Sequence, residues 1–466
     1  MAPRVRPALA LVAGLLLLAA CGATPSASVP TEVPPSAPAE SLTPSAEPTD
    51  GMGEVIPAPG SGSEVYEPNP AAIVVAIDPG HGGCLDWGVP NRFDNTVEKA
   101  EKADTLAIGL HLRDLLEEQG VTVVMTRTDD SALAGDDYPE LGCTGPAWRD
   151  VDGDGEAGFE ETGRIRTRDE LQARIDLANL ARADLLVSIH VNSLTEDGVV
   201  FEIAATQTFY DDETPWGEPG SGRLGRLLQA RVVAALDDLA RYEREDRGTQ
   251  AVAYYLVARQ WQDGDTCERP ADTWCKPHRG ADVPAVLAEV GSMSHEAESE
   301  LLASAAGREV VAAALFAGIR DWIAGRPLAV RYDALLPGGE AGGLPVPAQG
   351  EGAPYWAPAV GPEDLVDGRL PVRLTNTGTA AWPAGLELWL GSAPTGAPYL
   401  AEAPDGLAPA DLGVPSLAPG ESVTVHVPMM LPSGGRHVTW LTLVDRTGTP
   451  LTDVGSAPLQ LASGGG

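Results

Sequence analysis

Ala72-Ile73-Val74-Val75-Ala76-Ile77-Asp78-Pro79-Gly80-His81-Gly82-Gly83 is the stretch on which the reading of this chain turns. Its first half is an unbroken apolar run, the pattern of a strand buried on both faces. Its second half is a polar, glycine-rich turn that presents an imidazole. A buried strand that gives way to Asp78 and His81 puts reactive groups at its C-terminal end, where open α/β sheets carry their sites.

Working outward, Ile108, Leu112 and Leu115 recur at helical spacing before Gly120, a C-cap residue. Residues 121–126 then read as strand, 168–182 as helix, 184–189 as strand, 221–239 as helix, and 251–257 and 284–290 as strands. Residues 296–323 read as one long or two short helices. This alternation predicts an α/β unit over 71–326, with a mixed, mostly parallel sheet and helices on both faces. Over 354–462 the pattern changes to short alternating stretches at 369–374, 386–390, 422–427 and 437–444, separated by Gly, Pro and Asn turns, which predicts a small all-β sandwich.

Composition fills in the rest. The chain has 466 residues, and 31 basic against 67 acidic side chains leave a net charge of −36, which excludes a nucleic-acid partner that needs its phosphates neutralised. Many of the 41 prolines and 53 glycines fall in two stretches too poor in apolar residues to bury a core: a tether over 22–70 and a linker over 327–353. Arg4 and Arg6 precede an apolar run from Ala8 to Ala20, too short to span a bilayer and of the length of a signal-peptide core, so export is expected.

That run ends in Leu18-Ala19-Ala20-Cys21, which resembles a bacterial lipobox. The resemblance makes 1–21 a lipoprotein signal and Cys21 the lipidated residue, anchoring the protein outside the cytoplasm on the cell membrane. Four cysteines remain, Cys84, Cys143, Cys267 and Cys275, an even number in an oxidising compartment. Three pairings are open; the short separation of Cys267 and Cys275 favours that pair, leaving Cys84 with Cys143.

Three strand ends carry groups that hold or serve a metal: Asp78 to Gly83 with His81, Ser188-Ile189-His190-Val191-Asn192, and Ala288-Glu289-Val290-Gly291. Histidines and carboxylates converging from neighbouring strand ends suit a catalytic zinc, which takes three protein ligands and leaves one position open.

These segments, with Glu101-Lys102, Thr126-Arg127-Thr128, Arg174, Ala178-Asn179 and Ala183-Asp184 between them, are in the order of the zinc-dependent N-acetylmuramoyl-L-alanine amidases of the Amidase_3 family, which residues 72–324 resemble. The resemblance implies that His81, Glu101 and His190 bind zinc and that Glu289 is the catalytic carboxylate. It implies cleavage of the amide between the lactyl group of muramic acid and L-alanine in peptidoglycan. Asp78 and Asn192 are candidates for orienting the histidines. Glu98-Lys99 precedes Glu101-Lys102 by three residues, so Glu98 is the alternative ligand. The chain departs from the family at Ser292 and His295, and 131–165 and 259–282 read as insertions.

Within the first insertion Asp150, Asp152, Asp154, Gly155 and Glu161 stand at the spacing of an EF-hand loop, a candidate calcium site. In the β region Thr375-Asn376-Thr377-Gly378-Thr379, Trp382-Pro383 and Leu417-Ala418-Pro419-Gly420-Glu421 resemble the NBR1-type Ig-like domain, which implies a spacer or a module binding a protein or wall partner. Trp382 reads as a core anchor. Two other readings use the same residues: a non-catalytic or regulatory peptidoglycan-binding lipoprotein, which the retention of Glu289 and the ligands disfavours, and a zinc peptidase of the wall.

Overall fold

The computed structural model describes residues 69–83, 86–89, 100–134, 151, 168–196, 199–252, 254–258, 280–336, 359–394, 400, 402–429, 431 and 437–463. The lipobox, the calcium-loop residues Asp150, Asp152, Asp154, Gly155 and Glu161, all five cysteines and Glu98 lie outside the described residues.

The first unit is built on six strands, β1 (Val74–Pro79), β2 (Thr122–Met125), β3 (Leu185–Asn192), β4 (Ala205–Tyr210), β5 (Glu245–Ala251) and β6 (Ala285–Ser292). They form one sheet in the order β2-β1-β3-β6-β4-β5. The first four in that order run parallel, β4 is antiparallel to β6, and β5 is parallel to β4. The helices are α1 (Glu101–Glu118), α2 (Arg168–Leu180), α3 (Arg223–Leu239), α4 (Glu296–Ala303) and α5 (Ala305–Ala324). Ser304 breaks the last pair, accepting from Gly307 N at 3.0 Å as the cap of α5.

Alternation along the strands explains why their sequence is apolar throughout. Val75 and Ile77 of β1, Val187 and Ile189 of β3 and Val286 of β6 pack with α1, α3 and α5. Val74, Ala76, Leu186 and Leu287 face the other way, against Ala178 of α2 and the segment around Val257 and Val283. By the same alternation Asp78, Ser188, His190 and Glu289 belong to the α2 face, at the C-terminal ends of their strands.

Two strands depart from the sequence reading. Ala205–Tyr210, which has no unbroken apolar run, is a strand inside the sheet, and the strand expected at 251–257 is at Glu245–Ala251. The latter is an edge strand whose side chains are largely exposed, so it has no apolar signature, while Tyr255 and Leu256 are buried in a turn.

The second unit has strands β7 (Val330–Ala334), β8 (Arg369–Asn376), β9 (Leu386–Pro394), β10 (Ala408–Val414), β11 (Ser422–Pro428), β12 (His437–Val444) and β13 (Leu459–Ser463). The three-stranded sheet β11-β8-β7 and a five-stranded sheet, in which Ala359–Val360 precedes β13-β12-β9-β10, share one core that includes Leu370, Leu374, Leu388, Leu443 and Leu461. Trp382 is fully buried there and donates to Ala329 O at 3.2 Å. Val330–Ala334 falls in the stretch expected to be a linker; it pairs with β8 and so belongs to this unit.

The two units touch through buried charge. Asp184, at the N-terminal end of β3, accepts from Val74 N at 2.9 Å and lies 4.0 Å from Arg326 and 3.8 Å from Arg331. Gln460 of β13 donates to Asp282 at 3.1 Å, and Trp216 meets Trp440 at 6.0 Å between ring centroids. A cavity of about 490 Å³ opens at this junction between Val74, Thr122, Arg331 and Arg373, at the sheet end away from His81.

Burial pushes the Asp282 carboxyl up to about 7, against the weaker pull of Arg182 and Gln460. Because this folded value exceeds the ordinary ~3.9, the stabilisation is complete below about pH 4 and is lost as pH rises to about 7. Asp282→Asn should therefore raise stability above pH 7 by at least ~1 kcal/mol and flatten the fall between the two values, measured by urea unfolding across pH.

Candidate metal centre

His81, Glu101 and His190 come together at the C-terminal end of the sheet, their ligand atoms all within 4.8 Å of one another. His81 stands just past β1 with φ 61°, a left-handed conformation rare for a residue with a side chain, followed by Gly82 at 138° and Gly83 at 72°. Arg174 of α2 fixes this turn. It donates to Asp78 at 2.6 Å, to Pro79 O at 2.9 Å and to His81 O at 2.7 Å, and pairs with Glu170 at 2.7 Å.

Glu101 is the first residue of α1, where the helix N-terminus favours a carboxylate. One of its oxygens accepts from Val191 N at 2.9 Å and lies 3.0 Å from His190 Nδ1. The other accepts from Val89 N at 2.8 Å and lies 3.2 Å from His81 Nε2. Burial would raise its pKa, but His81 and His190 hold it well below the usual carboxylate range. A side chain on Gly88 has no room, since its Cβ would meet Glu101 Oε2 and the His81 ring at 2.5 Å.

His81 Nδ1 bonds Asp86 at 2.8 Å. Burial works against protonation of His81, yet Asp86 and Glu101 together raise its pKa well above the ordinary value. Asp86 therefore occupies the place of the carboxylate that fixes the tautomer and orientation of a metal-binding histidine. Sequence reasoning passed over it, although it stands only five residues after His81, and offered Asp78 and Asn192 instead. The Asp78 carboxylate is taken up by Thr126 and Ser188, both at 2.6 Å, and by Arg174, through which it reaches the His81 carbonyl. Those donors outweigh its burial and bring its pKa down to about 2. Asn192 contributes its main-chain carbonyl to Met293 N at 2.8 Å.

Glu289 pairs in register with His190 on the adjacent strand. Its Oε2 is buried and has no hydrogen-bond partner among the described residues. Burial and the negative charge of Glu101 push its pKa well above the usual range, against a smaller opposing effect of His81. A buried carboxylate oxygen left unsatisfied among the described residues, beside two histidines and a second carboxylate, is the kind of group that marks functional sites.

The donors suit a small transition metal. Two imidazole nitrogens and a carboxylate oxygen, one ligand atom from each residue, lie within 4.8 Å of one another, the donor types of a catalytic zinc site. The described residues around the cluster thus offer two imidazoles, one carboxylate and a free carboxylate at their side.

The profile of the N-acetylmuramoyl-L-alanine amidases, Amidase_3, matches residues 75–321, more than half of the chain. The chain belongs to this amidase family. The germination-specific N-acetylmuramoyl-L-alanine amidase of Bacillus subtilis is 25% identical over 246 residues, 53% of this chain and 78% of the relative. Among solved structures, the CwlD amidase of Clostridioides difficile in complex with the GerS lipoprotein is 26% identical, covering 54% of this chain and 98% of that one at a TM-score of 0.36. The amidase AmiC2 of Nostoc punctiforme is 22% identical, covering 54% of this chain and 97% of that one at a TM-score of 0.34. The matched region ends within α5, and the β unit beyond it lies outside the match.

If Asp86 orients His81 toward a metal, Asp86→Asn should weaken zinc affinity by about 10- to 100-fold, the usual effect of losing such a carboxylate. Competition with a chromophoric chelator measures it, and wild-type affinity in the variant would remove Asp86 from that role.

Proposed function

We propose that this protein is a zinc-dependent peptidoglycan amidase that hydrolyses the bond between the lactyl group of N-acetylmuramic acid and L-alanine. The observation that supports it most is Glu289, its Oε2 without a partner among the described residues, in register with His190 of the His81–Glu101–His190 cluster. Zinc, when bound, would be held by those three residues and would supply Lewis acidity at the amide carbonyl and toward water.

The remaining chemistry belongs to the chain. Glu289, whose pKa is raised by burial and Glu101, takes the proton of the attacking water and delivers it to the alanine nitrogen as the C–N bond breaks. The products are a muramic lactyl carboxylate and a stem peptide with a free amine. Asp86 and Glu101 fix the two imidazoles, and Arg174 holds the carbonyls of Pro79 and His81 so that the turn cannot relax.

We further propose that residues 1–21 are a lipoprotein signal and that Cys21 tethers the enzyme to the outer face of the cell membrane through 22–70. In the same reading two disulfides, Cys267 with Cys275 and Cys84 with Cys143, staple the insertions. The β unit is an Ig-like spacer or binding module.

Glu289→Ala should keep its zinc, measured by metal analysis, while release of free alanine amines from peptidoglycan falls by at least ~100-fold. Undiminished release would overturn the role of Glu289. Cys21→Ser should move the protein from the detergent to the aqueous phase, and a wild type found wholly in the aqueous phase would remove the anchor.

A further inference from the structure

Glu289 poses a problem of placement. No described residue hydrogen-bonds the buried Oε2 of this general base, so none of them holds that end of its side chain. Its position has to come from the main chain, and the main chain just past it is held by a buried network that the reaction does not touch.

Glu298, in the first turn of α4, is fully buried. Its Oε2 accepts from Ser292 N at 2.9 Å and from Ala205 N at 3.0 Å, joining the end of β6 to the start of β4. Its Oε1 accepts from Arg244 Nε at 2.5 Å. Arg244 also donates to Thr206 Oγ1 at 2.8 Å and to Asp237 at 3.0 Å, and the Thr206 hydroxyl donates to Val290 O at 3.0 Å. The network therefore grips the strand at the first and third residues after Glu289. Between these two points Gly291 lies flat against α4, because a Cβ there would meet Leu302 Cδ1 at 2.7 Å and Glu298 Cδ at 3.3 Å.

We infer that Arg244, Glu298 and Thr206 are positioning residues that aim the Glu289 carboxylate at the reacting amide by fixing Val290 and Ser292. This inference rests on the amidase reading. A carboxylate spanning two main-chain N–H groups is stiff because both bonds are charge-assisted and buried. The Thr206 hydroxyl holds Val290 O and so sets the tilt of the Val290–Gly291 peptide, the second peptide past the Glu289 Cα. Loosening either point displaces the base without removing it, so substrate binding is kept and turnover is lost.

The test is steady-state kinetics of the zinc-loaded full chain on a soluble muropeptide. Thr206→Val removes only the hydroxyl and keeps the side-chain shape. It should lower kcat by about tenfold, less than the ~100-fold expected for a 1 Å misplacement, with KM and bound zinc as in wild type. Thr206→Ser, which restores the hydroxyl, should restore kcat. Glu298→Gln should lower kcat further, and should it fail to fold, the threonine pair decides. A Thr206→Val protein that melts earlier but keeps wild-type kcat, or that loses KM and kcat together, overturns the positioning role while the amidase reading stands. No amide cleavage by the wild type overturns the amidase reading itself, and this inference with it.

Discussion

The structure depends on what the Glu101 carboxylate does with its four partners. It is taken out of water at the tip of α1, a position that would be costly for an unpaired charge. Each oxygen is matched to one main-chain N–H and one imidazole: Val89 and His81 on one side, Val191 and His190 on the other. One side chain thereby connects a helix start, a strand end and the strap at Asp86 to Val89. The left-handed turn at His81, the open backbone at Gly88 and the Arg174 clamp are all arrangements that let this convergence close.

Much of this was legible in the sequence because a buried parallel strand advertises itself. The run from Ala72 to Ile77 has no polar interruption, since Val75 and Ile77 face α1 while Val74 and Ala76 face the α2 side. Polar residues that break such a run at its end stand out, as His81, His190 and Glu289 do. The same logic fails where a strand is short of apolar contacts. Glu245–Ala251 at the sheet edge has exposed side chains and no pattern to read, and Ala205–Tyr210 alternates through Thr206 and Thr208, whose hydroxyls bond Val290 O and Gln229. Asp86 and Glu298 were missed for a different reason. An acid in a loop or in the first turn of a helix is usually solvated, and only tertiary contacts distinguish one that orients His81 or grips Ser292.

The second unit is joined to the first at the far end of the sheet. Asp184, Asp282 and the Trp216–Trp440 contact lie near the N-terminal ends of β3 and β6, whereas the His81–Glu101–His190 cluster lies at the C-terminal end of the sheet. The described residues of the β unit are thus docked at the sheet end away from the His81–Glu101–His190 cluster. The junction is also polar and electrostatically tense, with Asp282 buried and its pKa raised, the character of an interface between domains rather than of a single core.

The most direct test of the account is the mass of what the wild-type protein releases from purified peptidoglycan. The account predicts glycan strands with a free muramic lactyl carboxylate and intact stem peptides beginning at a free L-alanine amine. Stem peptides cut internally and still joined to muramic acid, or glycans that have lost only acetyl groups, would contradict it.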